Sequence, residues 1–374
     1  MGWAFLADAL PIYPLYALFF ADHGLTDGQI SALFAIWSAT AVIAEVPTGA
    51  LADRYSRRYA LAGAGLFQAA GYLLWLVLPG FAGFAVGFIL WGIGGALASG
   101  ALEALLYDGL ADSGAQHAYA RVYGWVSAAE LVGQIPAALA ATVLFPMGGY
   151  GLVGWVSVVL CLAASSVALR LPDTRARHHD HTGSAEQHAS YRTVLKVGLL
   201  EAVRNRAVRD AGIAVALVTG IDAIEEYFAL LAHDWGIATH LTPIATLGIP
   251  LAGAAGAAVA SRARQTSGPM IATSLGAAGV LLALAAILHR PAALAVVAAF
   301  YGIYRFVLVA VGARLQERIK SDARATVASV AGLATELSVF AVYAAWALGG
   351  VLVVALTVCL SSLALAGLLR DHLA

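Results

Sequence analysis

Long apolar segments run through almost the whole chain, and only short polar turns separate them. Of the 374 residues, 61% are hydrophobic and 11% are charged, whereas a soluble domain usually carries about 25% charged residues. A helix needs about 20 apolar residues to cross a bilayer, and the chain holds twelve segments of that kind. They cover residues 3–21, 28–51, 59–79, 81–107, 120–145, 150–171, 209–232, 237–261, 268–289, 292–315, 324–347 and 350–370. This pattern predicts an all-α membrane protein with twelve transmembrane helices.

Basic residues collect on one side of this predicted topology. With the N-terminus inside, 19 of the 21 lysines and arginines fall in cytoplasmic loops or at cytoplasmic helix ends. Arg290 lies outside, and Arg305 lies within a span. This asymmetry follows the positive-inside rule, so we expect a multi-pass protein of the inner (cytoplasmic) membrane with both termini cytoplasmic. Because the basic residues serve topology, no nucleic-acid partner is expected.

The two halves of the chain resemble each other. Residues 17–25 match residues 229–237 at an offset of 212, and each segment ends the first span of its half. Equivalent positions in equivalent spans indicate two pseudo-symmetric six-helix bundles with the same topology. The predicted N-terminal bundle covers residues 1–171 and the C-terminal bundle residues 209–374.

A polar segment over residues 172–208 joins the predicted bundles. Its histidine-rich first part has no spaced set of ligands and is interpreted as solvated linker rather than as a metal site. The pattern over Tyr191–Arg206 is amphipathic and predicts a helix on the inner membrane surface. Cys161 and Cys359 lie in apolar spans and indicate neither a disulfide nor a metal site. No cofactor is therefore expected.

A short charged turn interrupts the apolar pattern between the second and third spans. It reads Gly49-Ala50-Leu51-Ala52-Asp53-Arg54-Tyr55-Ser56-Arg57-Arg58. This Gly-x-x-x-Asp-Arg-x-x-Arg-Arg pattern resembles the loop between helices 2 and 3 of the major facilitator superfamily of transporters. The family usually has Gly at the place of Ser56. Three further segments resemble a drug-exporter-like subgroup of that family: Glu45–Gly49, Ala101–Asp108 and Asp322–Val327.

The resemblance covers the whole chain and implies alternating access between two rocking bundles. It also implies a cytoplasmic gate, in which Asp53 faces the N-terminus of span 11 beside Arg324 and Arg57 can pair with Asp108. Unpaired N–H groups and the positive dipole end stabilise a carboxylate at a helix N-terminus. The residues assigned to this gate are Gly49, Asp53, Arg54, Arg57, Arg58, Asp108 and Arg324. On the alternative interpretation the arginines of this turn only set topology.

Two motifs that many members of the family carry are missing. Span 4 has no arginine ahead of Gly92–Ala96, and span 5 lacks the Gly-Pro pair that is typical of many antiporters. Export by antiport is thus a hypothesis drawn from the resemblance.

Ionisable side chains at mid-depth in the predicted spans mark the candidate transport site. They comprise six acids and one base: Asp8, Glu130, Asp222, Glu225, Glu226, Glu336 and Arg305. Six carboxylates and one cation cannot all stay ionised in a low-dielectric cavity, so some must pair, some must bind protons, or a cationic ligand must compensate. The three acids of span 7 follow an i, i+3, i+4 spacing, which predicts that they share one helix face.

Several alternatives remain for these residues. Arg305 is a candidate for a fixed structural pair with Glu130 or Glu336, and Asp8 is near enough to the inner end of its span to be solvated. Tyr13 lies between Pro11 and Pro14, which break span 1 in its middle, as is common in helices that line a site. Tyrosines and tryptophans of both halves are candidates for an aromatic pocket or for packing.

The leading hypothesis is a proton-coupled secondary active transporter that exports a small amphipathic or cationic compound. Its partners would be that compound, protons and the lipid bilayer, and it would work as a monomer. One alternative is proton-coupled uptake of an anionic solute that Arg305 binds. Another is a polytopic membrane enzyme or sensor, but no catalytic motif and no Walker loop appears in the sequence.

Overall fold

The computed structural model describes residues 1–54, 56–171, 206–262, 266–318 and 324–370. Within these ranges the chain forms helices and short turns, and no strand occurs there. The α-helices are α1 (Gly2–Asp8), α2 (Tyr16–Asp22), α3 (Asp27–Arg54), α4 (Arg57–Val77), α5 (Phe81–Asp112), α6 (Tyr119–Ala168), α7 (Arg206–Gly220), α8 (Phe228–Asp234), α9 (Thr242–Thr246), α10 (Gly248–Arg262), α11 (Gly268–Leu288), α12 (Leu294–Arg318) and α13 (Arg324–Arg370). The fold is therefore all-α, as the sequence predicted.

Nine helical stretches among the described residues are long and apolar enough to cross a membrane. The predicted count of twelve differs by three. Two of those stretches contain a break in the backbone, at Gly148–Gly149 in α6 and at Gly349–Gly350 in α13. The predicted span 7 is divided between short helices. The count of twelve spans remains a prediction. The two glycine breaks lie where that prediction places the ends of spans 5 and 11.

The chain divides into two compact units. Unit 1 comprises Met1–Thr182 with Ala238–Ile244, and unit 2 comprises Gly183–Ile237 with Ala245–Ala374. In unit 1, α5 packs against α3 and α4, and α6 packs against α1 and α4. In unit 2, α12 packs against α10 and α11, and α13 packs against α7 and α11. Each packing in one unit thus has a counterpart in the other. The predicted interfacial helix and most of the predicted linker lie outside the described residues.

The repeat at offset 212 is present in the backbone. Helix α2 and helix α8 have the same length of 7 residues, and each follows a 3₁₀ segment. Gly24 and Gly236 close the two helices with positive φ angles of 82° and 93°, a conformation that glycine adopts without strain. The structure therefore confirms that the matched sequence segments are matched structural elements.

The first span is broken at the place that its prolines predict. Helix α1 ends at Asp8, and a 3₁₀ segment over Tyr13–Leu15 precedes α2. Such a break frees backbone groups that a membrane interior cannot solvate. The Ile12 N–H is satisfied by the Ser157 Oγ of α6 at 3.0 Å. The break in span 1 is thus held by a hydrogen bond from its own unit.

Candidate functional site

Four side chains of unit 2 form one polar cluster, which we call the Asp222 cluster. Arg305 Nη1 donates to both carboxylate oxygens of Asp222, at 3.2 and 3.0 Å. The Tyr301 hydroxyl lies 2.9 Å from Asp222 Oδ1 and 3.2 Å from Glu225 Oε2. Asp222 and Arg305 are each about one-third exposed, at 32% and 33%, and Glu225 is exposed. The cluster therefore combines one acid that is paired with Arg305 and a second acid that, in the described contacts, is not paired with it.

Local backbone geometry places Asp222 and Glu225 of span 7 together and Glu226 apart from them. Residues Ile221–Tyr227 form a 3₁₀ helix rather than a continuous α-helix. In a 3₁₀ helix positions i and i+3 eclipse each other, so Asp222 and Glu225 meet the same tyrosine. Glu226 is buried, at 8% exposed. The prediction that all three acids share one face is wrong for Glu226, because its α-helical spacing does not apply to this segment.

The partner of Arg305 also differs from the sequence-based alternatives. Those alternatives named Glu130 and Glu336, whereas the ion pair in the structure is with Asp222, 83 residues away. Glu336 lies half-buried on α13. Arg305 and Tyr301 are one helical turn apart on α12, and the guanidinium carbon lies 5.9 Å from the Tyr301 ring centre. One face of α12 thus supplies both groups that hold Asp222.

A glycine of α10 makes room for this arrangement. A Cβ atom added at Gly253 would lie 2.7 Å from Tyr301 Cε1 and 3.0 Å from Arg305 Cγ. Real Cβ atoms do not approach other atoms so closely, so only glycine lets α10 and α12 pack with these side chains in place. Sequence reasoning missed both the bridging role of Tyr301 and the role of Gly253. The only available signal was the four-residue spacing of Tyr301 and Arg305.

The acids of unit 1 form a second group. Asp8 on α1 and Glu130 on α6 are both half-buried, and these two helices pack against each other. Gly133 brings the two helices together, since a Cβ atom there would lie 2.9 Å from the Phe5 carbonyl oxygen. Tyr13 packs edge-on against Trp91, with ring centres 5.9 Å apart. The break in span 1 therefore borders an aromatic core.

The predicted gate is described only in part. Arg57 donates to the Asp108 carboxylate and, at 2.7 Å, to the Ala104 carbonyl. Arg58 lies over the Tyr59 ring, with 4.9 Å to the ring centre. Gly49 is within α3, and a Cβ atom added there would meet nothing within 4 Å. The side chains of Asp53, Arg54 and Arg324 lie outside the part that the structure describes, so their contact stays a prediction.

Solved structures of similar fold are membrane transporters. A nucleoside transporter, NupG, superposes with a TM-score of 0.73 at 12% identity, covering 99% of this chain and 96% of that one. A peptide transporter POT in complex with sulfate gives 0.71 at 14% identity, with 98% and 92% covered. A D-xylose-proton symporter gives 0.68 at 15% identity, with 97% and 94% covered. No curated protein sequence matches the chain.

These solved structures share the multi-pass helical fold of this chain. The family model of the Major Facilitator Superfamily matches residues 1–343. The chain belongs to the Major Facilitator Superfamily.

Proposed function

We propose that the protein is a proton-coupled secondary active transporter of the cytoplasmic membrane. It exports a small amphipathic or cationic compound by alternating access, as the resemblance to drug exporters suggests. The observation that supports this proposal best is the charge balance of the Asp222 cluster. Its one cation, Arg305, is engaged by Asp222, whereas Glu225 remains beside it and is exposed.

This charge balance favours a cationic substrate over an anionic one. Asp222 engages Arg305 through Nη1 and offsets its positive charge. A substrate carboxylate would therefore gain less from Arg305 than from an unpaired guanidinium. Glu225, in contrast, receives a hydrogen bond only from a neutral phenol in the described contacts. Its remaining lone pairs suit a proton or an organic cation.

The same cluster suits proton coupling. Ionisable residues within membrane spans commonly form proton relays because burial there is costly without a function. Glu225 is exposed and next to Asp222, so a proton and a cationic substrate would compete for one carboxylate. Such competition is the simplest way to exchange one for the other. The lack of a Walker loop in the sequence supports a gradient, rather than ATP, as the energy source.

The proposal is tested by transport into proteoliposomes with an acidic lumen. Membrane potential is clamped with potassium and valinomycin, and ethidium represents the cationic substrates. We expect wild-type protein to concentrate ethidium while protons leave the lumen. Glu225→Gln should abolish concentration against the gradient but retain downhill exchange, because the amide keeps the shape and loses the charge. Asp27→Asn, which neutralises an exposed acid at the start of α3, is the matched control.

Three outcomes would contradict parts of the proposal. If Asp222→Asn, Glu225→Gln and Glu226→Gln all concentrate ethidium as well as wild type, coupling does not depend on this segment, and Glu130 and Glu336 become the candidates. If a panel of cations is not transported but an organic anion is taken up in an Arg305-dependent manner, the anion alternative is correct. Transport that ignores the pH gradient would exclude proton coupling.

A further inference from the structure

A second polar site lies in unit 1. An open groove of about 450 Å³ follows the last turns of α5 and the start of α6. Its lining includes Arg57, Glu103, Tyr107, Asp108 and Tyr119. Its volume falls within the range of about 300–1,000 Å³ that is typical of small-molecule sites. We call it the tyrosine groove.

The tyrosine groove carries one uncompensated acid. Arg57 is bound by Asp108 and by the Ala104 carbonyl, so these two charges offset each other. Glu103 is exposed, and it accepts a hydrogen bond from the Tyr123 hydroxyl at 3.3 Å. Within the described ranges no cation pairs with Glu103. The negative charge of this carboxylate therefore attracts cations to the groove.

Three tyrosine rings stand next to this carboxylate. The ring centre of Tyr119 lies 5.9 Å from that of Tyr107 and 5.9 Å from that of Tyr123. The Tyr119 and Tyr123 rings are nearly parallel, at 22°, while Tyr107 meets Tyr119 at 70°. Tyr107 is 53% exposed and Tyr123 is 37% exposed. Tyr107 and Tyr123 are thus accessible beside Glu103, and Tyr119 is half-buried between them.

Aromatic faces and a carboxylate together recognise a particular chemistry. Ring faces attract cations by their quadrupole, and the attraction is strongest for weakly hydrated charges such as quaternary ammonium groups. A primary ammonium or a metal ion would instead prefer oxygen ligands. We propose that the tyrosine groove binds organic cations with a quaternary or aryl-substituted centre. This binding site is separate from the Asp222 cluster and does not depend on the direction of transport.

The test uses a photoreactive aryl triphenylphosphonium probe on purified full-length protein. After irradiation, labelled peptides are identified by mass spectrometry. We expect labelling between residues 103 and 123, which excess tetraphenylphosphonium prevents and neutral triphenylphosphine oxide does not. Glu103→Gln and Tyr119→Leu should each weaken the apparent affinity at least about threefold. Tyr119→Phe should retain binding because it keeps the ring.

Matched variants distinguish binding in the groove from non-specific labelling of exposed tyrosines. Tyr59→Leu removes an exposed tyrosine near the groove and should leave labelling unchanged. Glu225→Gln should abolish uphill transport without changing labelling of the groove, so failure of the proposed function and failure of this inference are distinguishable. Absence of groove labelling, or equal affinity in Glu103→Gln and wild type, would overturn the proposal.

A soluble cation and a lipid headgroup share this chemistry. The labelling is therefore repeated in lipid nanodiscs with and without choline headgroups. Protection by soluble tetraphenylphosphonium in choline-free nanodiscs assigns the groove to soluble cations. Protection by choline lipids alone would overturn that assignment and identify a lipid site.

Discussion

Arg305 shows how one side chain decides the chemistry of a cluster. It lies in the middle of a predicted span, unlike the basic residues at span ends, and Asp222 accepts two hydrogen bonds from it. A hydrogen bond that involves a charged group contributes about 1.5–3 kcal/mol, so separating Arg305 from Asp222 would carry a cost of that order. Tyr301 adds a neutral bridge to Glu225. Among the described contacts of the cluster, Glu225 is thus the acid without a guanidinium partner.

The Arg57–Asp108 pair allows a test of the proposed gate at the level of single residues. The two side chains are 15% and 25% exposed, so the pair is largely shielded from screening by solvent. We expect Arg57→Ala and Asp108→Ala each to slow transport, with insertion into the membrane unchanged. Because both changes remove the same contact, the double variant should be no slower than the more affected single variant, with a coupling energy of about 0.5–3 kcal/mol. The measurement is ethidium flux in proteoliposomes.

Arg170→Ala serves as the control for this cycle. Arg170 is an exposed arginine that follows α6 and belongs to no part of the proposed gate. The same loss of positive charge should therefore leave the rate near that of wild type. Wild-type rates in both Arg57→Ala and Asp108→Ala would show that the arginines of this turn only set topology.

Helix packing in unit 2 depends on small residues where helices touch. In membranes, glycine and alanine let helices approach closely where larger side chains would not fit. At Gly253 this close approach has a second effect, because α10 passes directly over Tyr301 and Arg305. The packing of two elements thus fixes the position of two site residues. A defect in packing should therefore appear as a defect in transport.

We expect Gly253→Ala to be destabilising and to impair transport. The added methyl group would displace the Tyr301 ring and the Arg305 stem, and overpacking typically costs about 1–3 kcal/mol. The apparent melting temperature in detergent and ethidium flux measure the two effects. Gly248→Ala, in the first turn of the same helix, has no atom within 4 Å of the added group and should match wild type. Equal behaviour of the two variants would show that the helices have room at Gly253.

At the scale of the whole molecule, two units repeat one arrangement of helices. The repeat extends from the broken first helix of each unit to the positive-φ glycines that end it. In unit 1 the break borders Tyr13 and Trp91, whereas in unit 2 it carries Asp222 and Glu225. The break in unit 2 thus supplies two acids of the candidate site, whereas the break in unit 1 supplies Tyr13.

The orientation of the molecule in the membrane is tested by cysteine labelling. Native Cys161 and Cys359 are replaced, and single cysteines are placed at Gly28 and at Ser184. Gly28 is preferred to Gly24, because the positive φ of Gly24 would strain any side chain. An impermeant thiol reagent on intact cells should reach position 28 and spare position 184. The reverse pattern would overturn the positive-inside prediction and every depth assigned from it.

Local sequence patterns were sufficient to predict the secondary structure of this protein and its internal repeat. Apolar runs predicted the helices, the prolines at positions 11 and 14 predicted the break in span 1, and the offset of 212 predicted the repeat of α2 in α8. These features depend on residues that are near one another in the chain, so periodicity and backbone stereochemistry suffice to find them. The apolar runs also identified the candidate acids, because a charged side chain within a span is costly whichever helices the span packs against.

Only the tertiary structure decided which of these residues meet. The sequence left Glu130 and Glu336 as candidate ion-pair partners of Arg305. In the structure α12 packs beside the 3₁₀ segment, and Arg305 pairs with Asp222 instead. In the same segment Glu226 does not share a face with Asp222 and Glu225. A 3₁₀ helix has three residues per turn, whereas the sequence pattern assumed the 3.6 residues per turn of an α-helix. Partners that lie some 80 residues apart depend on how helices pack, and close approach at Gly253 is not encoded in any local period.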